Sequence, residues 1–212
     1  MEEMTNKLSK LEVLLDAMSS IVRPTMLEYF RPDCCVATCK ILQAVFAEYR
    51  YKARAVAVTV QILNGPMQKL VEQGPLPKDH DERIALFNQH GAWGVGIVPP
   101  ENGLLKPNSF GGHLVLNVNG LLVDASLQQA QREQKGILLP PLLCGRPGSS
   151  FFAKSKGQRT GVRVGECLVS YKRLRDDSYL TGKDWREEYA GRPETYLKIT
   201  RLLRERITGK DV

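Results

Sequence analysis

The chain has 212 residues, 42% hydrophobic and 25% charged, with a formal net charge of +7, the make-up of an ordinary globular protein; this excludes collagen-like, coiled-coil and intrinsically disordered classes. No apolar run approaches the ~20 residues needed to cross a bilayer, and the polar start MEEMTNKLSK has no apolar signal region, so a cytoplasmic protein without a membrane partner is expected. The positive excess is uneven: residues 1–144 hold 14 Lys+Arg and 14 Asp+Glu, whereas residues 145–212 hold 16 and 9.

A single domain spanning 1–212 fits this length. Leu8, Leu11, Leu14, Leu15, Met18 and Val22 recur at steps of three and four, predicting an amphipathic helix over Lys7 to Val22. Pro24 is expected to break it, and Arg31-Pro32-Asp33 breaks the chain again, with Asp33 placed to cap a new helix that opens at Cys34 and Cys35. That helix continues through Cys39, Leu42, Val45 and Phe46 to about Tyr49. The run Ala53 to Val60 turns β-rich.

From Gly65 to Asn108 the chain is rich in Gly and Pro, with a helical patch near Glu82 to Phe87 and a strand candidate at Trp93 to Val98. Gly112 to Val118, Asn119-Gly120, and Leu121 to Ala125 then form the clearest hairpin signal in the chain. A polar helical stretch follows at Gln128 to Gln134. Gly145 to Gly148 reads as a loop, Ser150 to Lys154 and Val162 to Tyr171 as β-rich runs, and Pro193 to Ile207 as a helix with Tyr196, Ile199, Leu202, Leu203 and Ile207 on one face.

Chemistry concentrates at three residues. A cysteine in the first turn of a helix faces unpaired backbone N–H groups and the positive end of the helix dipole, a setting that favours thiolate and can hold an oxyanion. Cys34 and Cys35 both occupy that position, and Cys39 lies one turn further in. Five cysteines, two of them adjacent, suit reduced thiols rather than a disulfide framework. In the hairpin, a two-residue loop makes His113 and Asp124 diagonal neighbours and a four-residue loop sets them opposite; either way imidazole and carboxylate share a face. An aspartate so placed fixes a histidine's tautomer and supports its charge. Gln129 is expected on a solvent-facing helix surface, and His80 and His90 on polar surface loops. The cysteines with His80 or His90 have the wrong spacing for structural zinc, and Gly91 to Gly96 lacks the following helix of a phosphate loop.

The order of cysteine at a helix start, histidine on a strand and aspartate on the next strand resembles the transglutaminase-like branch of the papain-like cysteine enzymes, which also takes in related peptidases and arylamine N-acetyltransferases. Ala44, Val45, Phe46, Ala53, Arg54 and Val56 fall in matching places after Cys35; aligning on Arg54, 19 residues beyond it, selects Cys35 over Cys34. Gly112-His113-Leu114-Val115 and Leu122-Val123-Asp124-Ala125-Ser126 with Gln129 are similar to the family's histidine strand and aspartate strand end. Leu114-Val115 stands in place of Ala-Trp, Ala125-Ser126 of Pro-Thr, and Arg50-Tyr51-Lys52 of Gly-Ile-Pro.

The resemblance implies an α+β fold with a papain-like transglutaminase core over residues 30–130, its nucleophile helix packed on an antiparallel sheet. Extra N- and C-terminal helices are expected, with residues 145–212 a basic extension packed on the core. It implies catalytic Cys35, His113 and Asp124 acting on a peptide or protein amide, by hydrolysis or by transfer to an amine acceptor, with no metal or organic cofactor. The alternative is a catalytically inactive module of the same fold that holds an acidic partner through its basic C-terminal third; nucleic acid is not the expected partner, since no nucleic-acid motif accompanies the scattered charges.

Overall fold

The computed structural model describes residues 2–99, 110–148, 150–153 and 157–209, with side chains described from Lys10 onward; the Leu8 side chain, Lys154 and the stretch up to Asn108 from residue 100 lie outside them. Helix α1 (Glu2–Tyr29) leads into α2 (Cys35–Glu48), strand β1 (Ala53–Leu63), α3 (Gly65–Gln73), α4 (His80–His90) and β2 (Gly94–Ile97). The hairpin β3 (His113–Val118) and β4 (Leu121–Asp124) follows, then β5 (Leu143–Gly145), the hairpin β6 (Arg159–Val164) and β7 (Cys167–Arg173), a single turn α5 (Lys183–Arg186) and α6 (Pro193–Thr208). The architecture is mixed helix and antiparallel sheet.

Strand β1 is the axis of the sheet. Eleven residues of alternating small and β-branched side chains give it a length that three neighbours share: Ala53 to Val58 pair with β3, Val60 to Leu63 with β2 end-to-end beyond β3, and Val58 to Leu63 with β7 on the other edge. The order β5-β4-β3-β1-β7-β6 closes nearly into a barrel. Residues 159–173, expected in an extension on the core, are thus two strands of the sheet itself, and Val169 and Tyr171 are fully buried in it.

Alternation along the strands divides the interior. Ala57, Leu114, Leu116, Val118 and Val123 face α1, α2 and α6, while Val56, Val58, Val60, Ile62, Val115, Leu122 and Tyr171 make a second core on the other face. Burying this many branched side chains, at ~1.5–3 kcal/mol each, fixes the register, because a one-residue slip would exchange the two faces.

Five features depart from the sequence expectations. Pro24 sits inside α1 rather than ending it. Proline removes one helical N–H and crowds the preceding turn, but Val22, Arg23, Thr25 and Met26 are all buried around it and Lys198 of α6 reaches Glu28 at 2.5 Å, so packing holds the helix through the defect. The cap of α2 is Cys34, with no side-chain cap bond; Asp33 does not cap it. The polar stretch after β4 is two short 3-10 turns, Leu127–Ala130 and Glu133–Lys135, the second closed by an Arg132–Ile137 bridge. Finally, Val162 to Tyr171 is split by a turn at Gly165, φ 55°, and Phe151 and Phe152 lie in turns rather than a strand.

A residue the sequence did not single out closes the end of β1. Buried Asn64 caps α3 by accepting from the Met67 N–H at 3.0 Å, accepts from the Trp93 N–H at 2.9 Å, and donates to the carbonyls of Gly91 and Lys135, each at 2.9 Å. Its amide is fully used, tying β1, α3, α4 and the second 3-10 turn together.

The β3–β4 loop has two residues, Asn119 at φ 51° and Gly120 at φ 86°, and Val118 pairs with Leu121. Both residues are left-handed, as a hairpin loop matching strand twist requires. Gly120→Val should therefore cost about 1–2 kcal/mol in urea-induced unfolding; an unchanged midpoint would show that the loop tolerates another conformation.

Candidate active site

The tight loop decides the site. Because Val118 opposes Leu121, Asp124 lies across from Val115 and diagonally from His113 on the same face. His113 Nε2 and Asp124 Oδ2 are 2.8 Å apart, and both side chains are buried. The carboxylate is fully engaged: Oδ1 accepts from the Ser126 N–H at 3.0 Å, and Oδ2 also accepts from the Tyr171 hydroxyl at 3.0 Å. The Ser126 bond is a local Asx turn and legible in Asp124-Ala125-Ser126. Tyr171 was not, since it arrives from β7, 47 residues away.

Cys35 comes from the opposite direction. Tyr49 to Lys52 reverse the chain between α2 and β1, with Arg50 in a left-handed conformation (φ 61°), and Gln43 donates to the Ala53 carbonyl at 3.0 Å. Helix α2 packs over β1 and β3. Its 14 residues run back about 21 Å along a strand rising ~3.3 Å per residue, setting Cys35 over the middle of β1, where Val58 pairs with His113. There the Cys35 thiol is a hydrogen-bonding neighbour of the imidazole. With Nε2 held by Asp124, Nδ1 meets Gln129, whose amide nitrogen lies 3.1 Å away. Gln129 is therefore a site residue, not a solvent-facing one: the short 3-10 turn points it inward where a regular helix was expected.

The other cysteines separate clearly. Burial pushes the Cys34 thiol up, against the pull of the Thr38 hydroxyl at 3.4 Å and of Arg23. Cys39, fully enclosed one turn in, is pushed well up by burial and by the neighbouring Cys35 and Asp124. Cys144 is exposed on β5, and all five thiols are free. Arg23, buried on α1 and unremarked in the sequence, donates to the Pro32 carbonyl at 3.1 Å and lies 3.9 Å from the Cys34 sulfur. It pins the turn that carries the chain into α2. His80 and His90 are exposed at the two ends of α4. Among the described residues no group of three or more His, Cys, Asp or Glu is arranged to hold a metal ion.

A cleft of about 350 Å³ leads toward this arrangement, lined by Pro32 and Asp33 ahead of the cysteines, by Val95 to Ile97 of β2, and by Gln129, Ala130 and Arg132. The first-turn N–H groups of α2 have no intrahelical acceptor, and since Asp33 does not cap them they are free to bind a ligand oxygen. No protein-family model matches the chain, and neither does any curated protein or solved structure. No helix among the described residues is long and apolar enough to cross a membrane.

Burial opposes a charge on His113, but the Asp124 carboxylate, its hydrogen bond, and Cys35 outweigh burial and raise the imidazole to about 10. Burial likewise opposes the Asp124 charge, and His113, Ser126 and Tyr171 overcome it and hold the carboxyl below its ordinary value. A histidine raised in the folded state stabilises the fold fully below its unfolded value, about 6.5, and that contribution is lost as pH rises through about 10. The aspartate's contribution is present above its unfolded value of ~3.9 and is lost on acidification. His113→Gln should thus cost about 3–5 kcal/mol near pH 6 by leaving a buried carboxylate unpaired. The gap to the unsubstituted protein should narrow steadily in denaturation series taken toward pH 10, whereas a constant gap would mean a neutral ring in the folded state.

Proposed function

We propose that the protein is a cysteine-dependent enzyme of the transglutaminase-like type, transferring or hydrolysing acyl groups at amide bonds through Cys35, His113 and Asp124. The observation that carries the reading is His113 clamped by Asp124 at Nε2 and hydrogen-bonded to a thiol at a helix start. The imidazolium, held charged by Asp124 up to a pH of about 10, stands beside Cys35, which reacts as the thiolate. The thiolate attacks the substrate carbonyl, and the developing oxyanion is met by the uncapped N–H groups of α2. Protonated His113 then gives its proton to the leaving amine. A second acceptor, water or an amine, loses its proton to His113, attacks the acyl-cysteine and releases the thiol. The reaction requires no metal or organic cofactor.

Gln129 fits both states of the ring. Its amide N–H donates to Nδ1 when that nitrogen is unprotonated, and its carbonyl accepts from Nδ1–H when the ring is charged. Support for the papain-like core comes also from Arg50: it adopts a left-handed conformation at the position where the resembled family carries glycine, the residue that adopts it without strain.

The rival reading, an inactive module gripping an acidic partner through residues 145–212, has less behind it. Lys183, Arg192, Lys198, Arg201 and Arg204 each face a glutamate of this chain, and Arg163 and Arg173 donate to Gln68 and to the Ala153 carbonyl.

Accessibility and activation point to different cysteines, which makes a clean test. Cys144 is exposed and Cys35 is buried, so labelling governed by access alone would modify Cys144 first. With limiting iodoacetamide near neutral pH and peptide mapping by mass spectrometry, Cys35 should react at least ~10-fold faster than Cys144, by virtue of thiolate character. The preference should vanish in His113→Ala and weaken in Asp124→Asn, with circular dichroism confirming that the variants fold. Cys144 reacting first in the unsubstituted protein would overturn the assignment.

A further inference from the structure

The largest cavity of the molecule among those described, about 690 Å³, lies away from the catalytic residues: none of Cys35, His113 and Asp124 lines it. It sits on the second half of β1, beyond the reach of α2, with α3 and α4 as its outer wall and β2 and β7 at its sides. Two properties mark it. The first is apolar exposure. Of the ten large apolar side chains exposed among the described residues, Val71, Ile84, Trp93 and Val98 all open onto this one hollow. Single exposed hydrophobes are ordinary on a protein surface, but several gathered in a concavity of ligand size mark a binding site.

The second property is an unbalanced charge. Arg159 and Lys172 are directly opposed in the antiparallel register of β6 and β7, so their side chains rise side by side from the same face, and both line the cavity. Like charges directly opposite one another destabilise a sheet. Neither forms an ion pair among the described residues, and Arg83 adds a third cation while no Asp or Glu lines the cavity. Thr59 of β1, paired with Lys172, and Ser170 supply hydroxyls beside them.

We propose that this cavity binds a small amphiphilic carboxylate, its hydrocarbon or aromatic body seated against Val71, Ile84 and Trp93 and its head group between Arg159 and Lys172. A carboxylate matches the planar guanidinium fork and a neighbouring ammonium. The backbone at this pair is extended strand, without the successive N–H groups turned to one point that make a phosphate-binding nest. A bound anion relieves the Arg159–Lys172 repulsion, so the cost carried by the empty site returns as affinity. The site is independent of the reaction proposed at Cys35, and its test uses no turnover.

Octanoate, with 1-octanol and octyltrimethylammonium as neutral and cationic counterparts, provides the experiment, each titrated well below micelle-forming concentration by calorimetry and by tryptophan fluorescence. Octanoate should bind one saturable site at least ~10-fold more tightly than either counterpart. The Arg159→Gln/Lys172→Gln variant should lose at least ~10-fold in octanoate affinity, keep its weak octanol binding, and in the absence of ligand be at least as resistant to denaturant as the unsubstituted protein. Trp93 and Trp185 are the only tryptophans, so Trp93→Phe should abolish the fluorescence response while the binding heat remains. Equal affinity for the three head groups, unchanged octanoate binding in the double variant, a less stable unliganded double variant, or a fluorescence response surviving in Trp93→Phe would each overturn the proposal.

Discussion

A charged imidazole and a carboxylate removed together from water cost several kcal/mol each in desolvation, and only close mutual contact with every remaining hydrogen-bonding position filled offsets that cost. His113 and Asp124 meet the condition at 2.8 Å, with Ser126 and Tyr171 supplying the aspartate's other donors. Much of the fold can be traced to keeping this pair satisfied. The left-handed Asn119-Gly120 loop sets the register that puts the two residues on one face. Strand β7 is placed in the sheet interior so that the Tyr171 hydroxyl reaches the carboxylate from the second core. The 3-10 turn after β4 brings Gln129 back to the free ring nitrogen. Each of these elements would be wrong by several ångströms if the hairpin slipped by one residue.

The long strand β1 does a second job that follows from its length. Its first half is covered by α2, whose amino end stops over the strand's middle, and its second half is covered by α3 and α4 from the other side of the Asn64 junction. One strand thereby stands between two sites, with the His113–Asp124 pair on its second-core face and the larger hollow on the face of Thr59 and Gln61. The Cys35, His113 and Asp124 cluster lies where α2 begins, polar and tightly hydrogen-bonded. The larger hollow lies beyond it, apolar with a cationic row. Strand β2, lining both the cleft at Gln129 and the larger cavity through Val95 and Gly96, is the wall between them.

Helix ends show how small capping choices shape a site. Asp79 caps α4 with its own carboxylate, accepting from the Asp81 and Glu82 N–H groups, and Asn64 caps α3; both ends are closed. The start of α2 carries no side-chain cap, although Asp33 stands next to it in sequence. Arg23 anchors the Pro32 carbonyl, and the turn so held enters the helix through Cys34 rather than Asp33. Uncapped N–H groups beside a thiol are less stable than capped ones by about 1 kcal/mol.

The amino-acid sequence by itself determined those features that local chemistry dictates. Asn-Gly between two strands specifies a tight hairpin, and period-two alternation then puts His113 and Asp124 on one face whether its loop has two residues or four. The Arg31-Pro32-Asp33 break and the apolar spacing after it specify a helix beginning at the cysteines, and the spacing from Pro193 specifies α6. What only the tertiary structure decided depends on contacts between residues far apart in the chain. Pro24 is tolerated because Met26 and Val22 bury against distant helices. Gln129 turns inward because Leu127 and Ala130 are drawn into the second core. Tyr171, Arg23 and Asn64 acquire their partners across strand pairings and helix packings that leave no trace in their own neighbourhoods. The Arg159–Lys172 row exists only once β6 and β7 are in register. Periodicity encodes which face a residue occupies; which residue it meets there is set by how the faces are brought together.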